Sequence, residues 1–239
     1  GLIISYLFDP DRIFHDNVGR ATGAQFIQGS HRPDEQQGIH ATEVFLRALE
    51  SLAIFSPDSR PRLDPERLQL SSAITAVENR ATIALHPGSG SPNKNWRVEN
   101  WIALIQNLIA ETDYRLMLVG GEADRDRHAT LKPLIPSGRL IEAFGYPLNE
   151  LAAMLAGCSG FIGHDSGISH LAAAAGLKGI VIWPSTNPDI WEPRSERFHR
   201  LHAPEGINAI PPSRVFGEAL KLFPPVNADS DSDSDQTQS

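Results

Sequence analysis

Three short stretches of this chain combine residue types that can do binding chemistry, and two of them suit an anion. The first is His86-Pro87-Gly88-Ser89-Gly90-Ser91-Pro92-Asn93-Lys94-Asn95-Trp96. Its small residues let backbone amides approach a negative charge, Ser89 and Ser91 add hydroxyl donors, and Lys94 adds a point charge. The sequence holds only four lysines, Lys94, Lys132, Lys178 and Lys221, so one directly after a glycine-serine loop carries information. A flexible turn that happens to carry a lysine accounts for the same residues. The loop is not a P-loop, because Lys94 is neither preceded by glycine nor followed by serine or threonine. Nor is it a dinucleotide fingerprint: Gly88 and Gly90 are spaced correctly, but Asn93 stands where the third glycine belongs, which disfavours NAD.

The second stretch is Gly163-His164-Asp165-Ser166-Gly167-Ile168-Ser169-His170, continuing as Leu171-Ala172-Ala173-Ala174. A strand feeding directly into a helix here would offer the free amides of Ser166 and Gly167 to a pyrophosphate. Asp165 either caps that helix or holds ribose hydroxyls. His170 falls about one turn in, facing the same mouth, although a lone histidine is also well explained as a satisfied, partly buried residue. The third stretch, Gly120-Gly121-Glu122-Ala123-Asp124, sets an acid just past a strand, where ribose hydroxyls bind in such folds. Glu122 would serve equally as a helix cap. A serine hydrolase built on Ser166 with Asp165 and His170 fits less well, since a nucleophile elbow needs Gly-x-Ser-x-Gly and the serine comes one place late.

The elements that must position these turns are legible around them. Thr82–His86, Leu116–Val119, Leu140–Phe144, Phe161–Gly163 and Gly179–Trp183 are short apolar runs closed by turn residues, and read as strands. Between them, Trp101, Leu104, Ile105, Leu108 and Ile109 make one face of a helix, and further helices are expected at Thr130–Leu134, Leu148–Leu155, Ile168–Ala175 and Arg214–Phe223. This alternation means a doubly wound parallel α/β sheet, with ligands beyond the carboxyl ends of its strands. Upstream, Leu2–Phe8 is apolar on both faces and reads as an interior parallel strand needing neighbours on each side, so the chain is expected to begin inside a domain. A short strand is expected at Ala24–Gln28 and a helix at His40–Ile54. Ser56–Pro65 contains Pro57, Pro61 and Pro65, a linker composition. The expected organisation is therefore 1–56 as part of an N-terminal α/β domain, 57–79 as linker, 80–225 as a ligand-binding domain, and 226–239 as a disordered acidic tail.

Composition excludes several classes. The chain of 239 residues is 41% hydrophobic with a formal net charge of -8, and no basic stripe suggests nucleic acid. Part of the negative charge is the tail, where Asp229, Asp231, Asp233 and Asp235 alternate with serine without the glycine turn and final glutamate of a calcium loop. No apolar run approaches the roughly 18–20 residues of a membrane span. The single cysteine, Cys158, sits among apolar residues and allows neither a disulfide nor a cysteine metal site. Asp9-Pro10-Asp11 has the look of a metal-binding Asp-x-Asp, but Pro10 points to a turn.

Taken in order, His86–Gly90, Lys94-Asn95-Trp96, Glu99-Asn100-Trp101, Val119-Gly120-Gly121 and Asp165–Ala174 resemble the ADP-heptose:lipopolysaccharide heptosyltransferase family, glycosyltransferase family 9. The resemblance covers about residues 80 to 190, the C-terminal half of such enzymes, and His40-Ala41-Thr42-Glu43 looks like the later part of the N-terminal half. It implies a GT-B architecture of two Rossmann-like domains, with the donor sugar nucleotide on the C-terminal one. It further implies that Gly88, Ser89 and Lys94 meet donor phosphates, that Asp165, Ser166, Gly167 and His170 grip pyrophosphate and sugar, and that Glu122 or Asp124 holds ribose. Tyr146 would stack on the base, or else is simply a turn aromatic before Pro147. Lys94 and His170 would stabilise the leaving group, while the general base belongs to a glycine-rich N-terminal turn that this chain does not carry. The implied reaction moves a heptose or related sugar from an ADP-sugar to a lipopolysaccharide-core or similar glycan acceptor with inversion, needs no metal or other cofactor, and takes place in the cytoplasm, with peripheral contact to the inner membrane through a glycolipid acceptor. Arg97 departs from the family, which often has proline there. A non-catalytic nucleotide-sugar-binding module is the main alternative.

Overall fold

The computed structural model describes residues 1–64 and 80–224. The expected linker therefore lies mostly outside the described residues, and the acidic tail lies wholly outside them. Two compact units emerge: Gly1–Pro61 with Thr186–Arg194, and Arg62–Ser185 with Ser195–Ser239.

The smaller unit pairs β1 (Leu2–Ser5) in parallel with β2 (Gln25–Gln28), joined through α1 (Ile13–Ala21). The Asp9 carboxylate accepts the amides of Phe14 and His15 at 3.1 and 2.9 Å, so this acid satisfies the orphan donors that open α1. The helix expected over His40–Ile54 is split into α2 (Ala41–Leu46) and a tighter 3-10 stretch, Arg47–Leu52. His40 caps α2 by accepting the Thr42 amide on Nδ1 at 3.2 Å, while its Nε2 donates to the Glu192 carbonyl at 2.9 Å. Arg194 pairs with Glu43 and donates to Ser59. A late segment, 186–194, thus returns to complete a unit built mainly from the first 61 residues.

The larger unit holds the architecture predicted for the middle of the chain. Its strands are β3 (Thr82–Leu85), β4 (Arg115–Gly120), β5 (Leu140–Phe144), β6 (Gly160–His164), β7 (Gly179–Ile182) and β8 (Phe198–Leu201). They form one six-stranded sheet in the order β5-β4-β3-β6-β7-β8, every neighbouring pair parallel. The connecting helices are α3 (Val98–Glu111), α4 (Arg125–Leu131), α5 (Leu148–Ala156) and α6 (Gly167–Ala174), with α8 (Pro212–Leu222) closing the chain after α7 (Pro188–Trp191) of the smaller unit. The α3 stripe behaves as its periodicity requires: Trp101, Leu104, Ile105 and Leu108 are fully buried against Ile83, Leu85, Leu116 and Leu118 of the sheet. Strands β3 and β7 are buried along their whole length, as parallel strands covered on both faces must be.

Two expectations for this unit are corrected. Gly179–Trp183 is not the last strand, because β8 pairs beyond it; Phe198-His199-Arg200-Leu201 buries only its two ends and lies at the sheet edge, so its apolar signal is weak. The helix expected at Thr130–Leu134 begins earlier, at Arg125, and turns 3-10 at Lys132–Leu134, where Pro133 lacks the amide to continue an α-helix. Among the described residues no helix is long and apolar enough to cross a membrane.

The strand order sets the position of the site. Winding runs outward from β3 through β4 to β5, then restarts from β6 on the other side of β3. The topological switch point therefore lies between β3 and β6, and the loops leaving their carboxyl ends separate there to form a crevice. Those two loops are the first two stretches singled out in the sequence.

Candidate functional site

The loop after β3 is shaped by two glycines with different tasks. A Cβ on Gly88 would lie 1.8 Å from Oδ1 of Asp124, so only glycine lets this loop close onto the turn after β4. Gly90 has φ +72, a left-handed conformation that side chains disfavour. Ser89 Oγ donates to the Ser91 carbonyl at 2.9 Å, fixing the loop from within. Pro92–Lys94 then forms a 3-10 turn that carries Lys94 back toward β6.

Across the crevice, β6 ends at His164 and passes through Asp165 and Ser166 into α6. Ser166 is the N-cap, in extended conformation, and its Oγ accepts the Ser169 amide. The leading amides of α6 then have no intrahelical carbonyl to meet, which makes Gly167 the start of a ready anion site. Lys94 Nζ donates to Asp165 Oδ2 at 2.6 Å. The ammonium side is 33% exposed and the carboxylate 7%, so a buried acid holds a cation that still faces solvent at the crevice. His170 lies in the first turn of α6, its amide 3.4 Å from the Ser166 carbonyl.

Beneath these groups lie two buried histidines. His164 is 0% exposed; its Nε2 accepts the Trp96 amide at 3.0 Å and its Nδ1 faces the Gly88 carbonyl at 3.3 Å. Burial pushes its pKa down to about 3, opposed by the Gly88 carbonyl. His86 Nδ1 lies 3.3 Å from Ser166 Oγ, and its Nε2 is 3.9 Å from Asp124 Oδ2. Burial pushes His86 down to about 4, with the Asp124 charge opposing. Both rings are therefore neutral near pH 7. The ring that meets Ser166 is His86, and the Asp165 carboxylate accepts from Lys94.

The turn after β4 divides its two acids. Asp124 accepts the Gly121 amide at 3.0 Å, lies 4.0 Å from Arg127 Nη1, and has a side chain only 12% exposed. Glu122 is turned outward, 92% exposed, near Arg125. Tyr146 follows β5 after Gly145, whose φ is +72, and stands exposed beside Leu148. The structure thus brings Gly88, Lys94, Asp124, Asp165, Ser166 and Gly167 together at the switch point, and leaves Glu122 and Tyr146 on the outer rim of the same sheet edge. Three further residues join this cluster without a role that their sequence context assigns: His86, His164 and Arg127. The two histidines had a usable signal, since each ends a run of otherwise apolar residues entering a suspected binding turn. Arg127 had none, being one of several charged residues that open α4.

Comparison with known proteins gives a consistent result. The family described as Glycosyltransferase family 9 (heptosyltransferase) matches residues 16–209. Lipopolysaccharide heptosyltransferase 1 of Escherichia coli O18:K1:H7 is 30% identical over 214 residues, 85% of this chain and 60% of that protein. Lipopolysaccharide heptosyltransferase 1 of Salmonella typhimurium is 30% identical over 122 residues, 48% of this chain and 35% of that protein. Among solved structures, an E. coli heptosyltransferase with ADP superposes with TM-score 0.67 at 18% identity, covering 83% of this chain and 67% of that one. This last likeness is one of fold, the doubly wound α/β fold expected from the strand and helix alternation. The chain spans about 35% to 60% of the length of these curated relatives.

Proposed function

The chain belongs to glycosyltransferase family 9, and from that premise we propose that it forms the donor side of an inverting transferase that moves a heptose or related sugar from an ADP-sugar to a lipopolysaccharide-core or similar glycan acceptor. The observation that carries this reading is the Lys94–Asp165 pair, 2.6 Å long, standing at the N-terminus of α6 in the switch-point crevice. A cation held there by a buried acid, beside free helix amides, suits a diphosphate. The E. coli relative solved with ADP supports adenine as the base.

In this reading Ser89, Lys94 and the Ser166-Gly167 amides receive the diphosphate, His170 adds a polar contact toward the sugar, Glu122 or Asp124 takes the ribose, and Tyr146 stacks on the base. Asp124 is already engaged by Gly121, so Glu122 is the freer of the two acids. A base from the acceptor-side half of a GT-B enzyme removes a proton from the acceptor hydroxyl. That oxygen attacks the anomeric carbon, the bond to the diphosphate oxygen breaks, and the configuration inverts. Negative charge grows on the departing ADP, where Lys94 and the α6 amides oppose it without reorganising. No metal takes part, and the reaction belongs at the cytoplasmic face of the inner membrane, reached through a glycolipid acceptor.

The test is transfer kinetics in the intact protein. Losing a preorganised donor to developing charge costs about 2.7–4 kcal/mol, so Lys94→Ala should lower turnover by roughly two to three orders of magnitude. Unchanged turnover would remove Lys94 from the mechanism. The second reading is a non-catalytic sugar-nucleotide-binding module, since the groups gathered in the crevice suit holding a diphosphate and none of them is assigned as the acceptor's base. Transfer catalysed by residues 1–239 alone would overturn it, along with the assignment of the base to another segment.

A further inference from the structure

We infer that His164 is a positioning residue that clamps the phosphate loop at both ends and so sets where Lys94 is presented. The inference rests on the reading that this loop receives the donor diphosphate.

Three points of the loop are held by two consecutive residues at the end of β6. His164 meets Gly88, at the start of the loop, and Trp96, at its end, while Asp165 meets Lys94 between them. The two ring contacts require one tautomer: Nδ1–H donates to the Gly88 carbonyl, and bare Nε2 accepts from the Trp96 amide. An imidazolium would turn a proton against the Trp96 N–H. Aromatic packing fixes the ring plane, with Trp101 edge-on at 5.4 Å and Trp96 edge-on to Trp101 at 5.6 Å. The far side of Trp96 is fastened as well, its Nε1 donating to the Ile210 carbonyl at 3.0 Å.

A core histidine with satisfied nitrogens could be no more than a filler. What distinguishes His164 is what it spans. Its partners are eight positions apart in the loop, Gly88 six before Lys94 and Trp96 two after it, and they reach across the crevice between β3 and β6, which are hydrogen-bonded neighbours in the sheet but diverge beyond it. Without the ring, the loop between Gly88 and Trp96 would lean on the Lys94–Asp165 pair for its tie to the end of β6. That pair is the contact a diphosphate must share.

The experiment is calorimetric titration of ADP into the parent chain and into His164→Leu, His164→Gln and Lys94→Ala chains, with amide hydrogen exchange at Trp96 as a ligand-free readout. Leucine removes both contacts, whereas the glutamine amide oxygen reaches the place of Nε2. His164→Leu should weaken ADP by roughly tenfold, the effect of losing one good hydrogen bond to a buried amide. His164→Gln should stay within about threefold of the parent. In a Lys94→Ala background the leucine change should add less than about twofold, because the clamp acts through Lys94. The Trp96 amide should be protected in the parent and in His164→Gln, and exchange faster in His164→Leu. ADP binding equal to the parent in a folded His164→Leu chain would overturn the inference. So would an equal further loss in the Lys94→Ala background, which would mark a general structural effect. Failure of the parent to bind ADP at all would overturn the donor-site reading itself, whereas an unprotected Trp96 amide in the parent would overturn the clamp alone.

Discussion

The two ends of the binding edge are built on opposite plans. At the switch point Lys94 is tied to Asp165, Ser166 to His86, and His164 to Gly88 and Trp96, and the acid and both rings are buried. At the rim, Glu122 and Tyr146 are exposed and rest on single turns. If the crevice takes a sugar nucleotide as proposed, the difference has a physical reason. Opposing a diphosphate's charge in a transition state requires donors fixed beforehand, because reorganisation at that moment costs energy. Holding a ribose and a base needs only surfaces that can adjust, each worth little. The inner end therefore spends stability on preorganisation and the rim does not, which predicts that perturbations at the two ends separate in size and in kind.

Acid should strike the inner end hardest. His86 and His164 are held neutral in the folded chain, at about 4 and about 3, against an ordinary imidazole value of 6.5. Between those values the unfolded chain binds more protons than the folded one, so stability is full above about 6.5 and is lost as pH falls through the window. With both rings titrating, the slope approaches about 2.7 kcal/mol per pH unit. Urea unfolding at pH 7.5, 6 and 5 measures it, and His164→Gln should reduce the slope by about half. A slope near zero would break the claim that these rings are neutral anchors.

Gly88→Ala comes next. Its methyl would sit on the Asp124 carboxylate, so the two turns must separate, at a cost of about 1–3 kcal/mol in stability and with weakened ADP binding. Thermal unfolding and calorimetry check both parts, and an undisturbed chain would show that the close approach is unnecessary. Tyr146→Ala should leave stability unchanged and weaken ADP by about 0.5–1.5 kcal/mol, the worth of an aromatic contact. Glu122→Gln should have the smallest effect, a shift in ADP affinity of under about 1 kcal/mol that fades with added salt. If either rim change matched Lys94→Ala in size, the contrast between the ends would not hold.

The sequence carried the inner end unevenly. Short apolar runs closed by Pro87-Gly88, Gly120-Gly121 and Asp165-Ser166 mark the strand ends and hence the site, because binding turns in a doubly wound sheet follow its strands. The α3 stripe was legible because four fully buried positions recur at helical spacing. Strand β8 was not, since an edge strand with two exposed central residues has little pattern to read. The return of residues 186–194 to the smaller unit depends on contacts such as His40 with Glu192, 152 positions apart, which no local window contains. His164 was hidden for a related reason. Its type is visible in the motif, but its task depends on Gly88 and Trp96 lying opposite it, a consequence of β3 and β6 being neighbours.

The most direct test of the donor site is thermal unfolding of this chain with ADP, UDP or GDP in separate titrations, repeated for Lys94→Ala. A ligand bound only by the folded state at a hundred times its Kd stabilises by about 2.7 kcal/mol. ADP should raise the transition temperature selectively in the parent, and the shift should be lost in Lys94→Ala. No shift with any of the three in the folded parent, or an ADP shift that survives removal of Lys94, would contradict the donor-site reading.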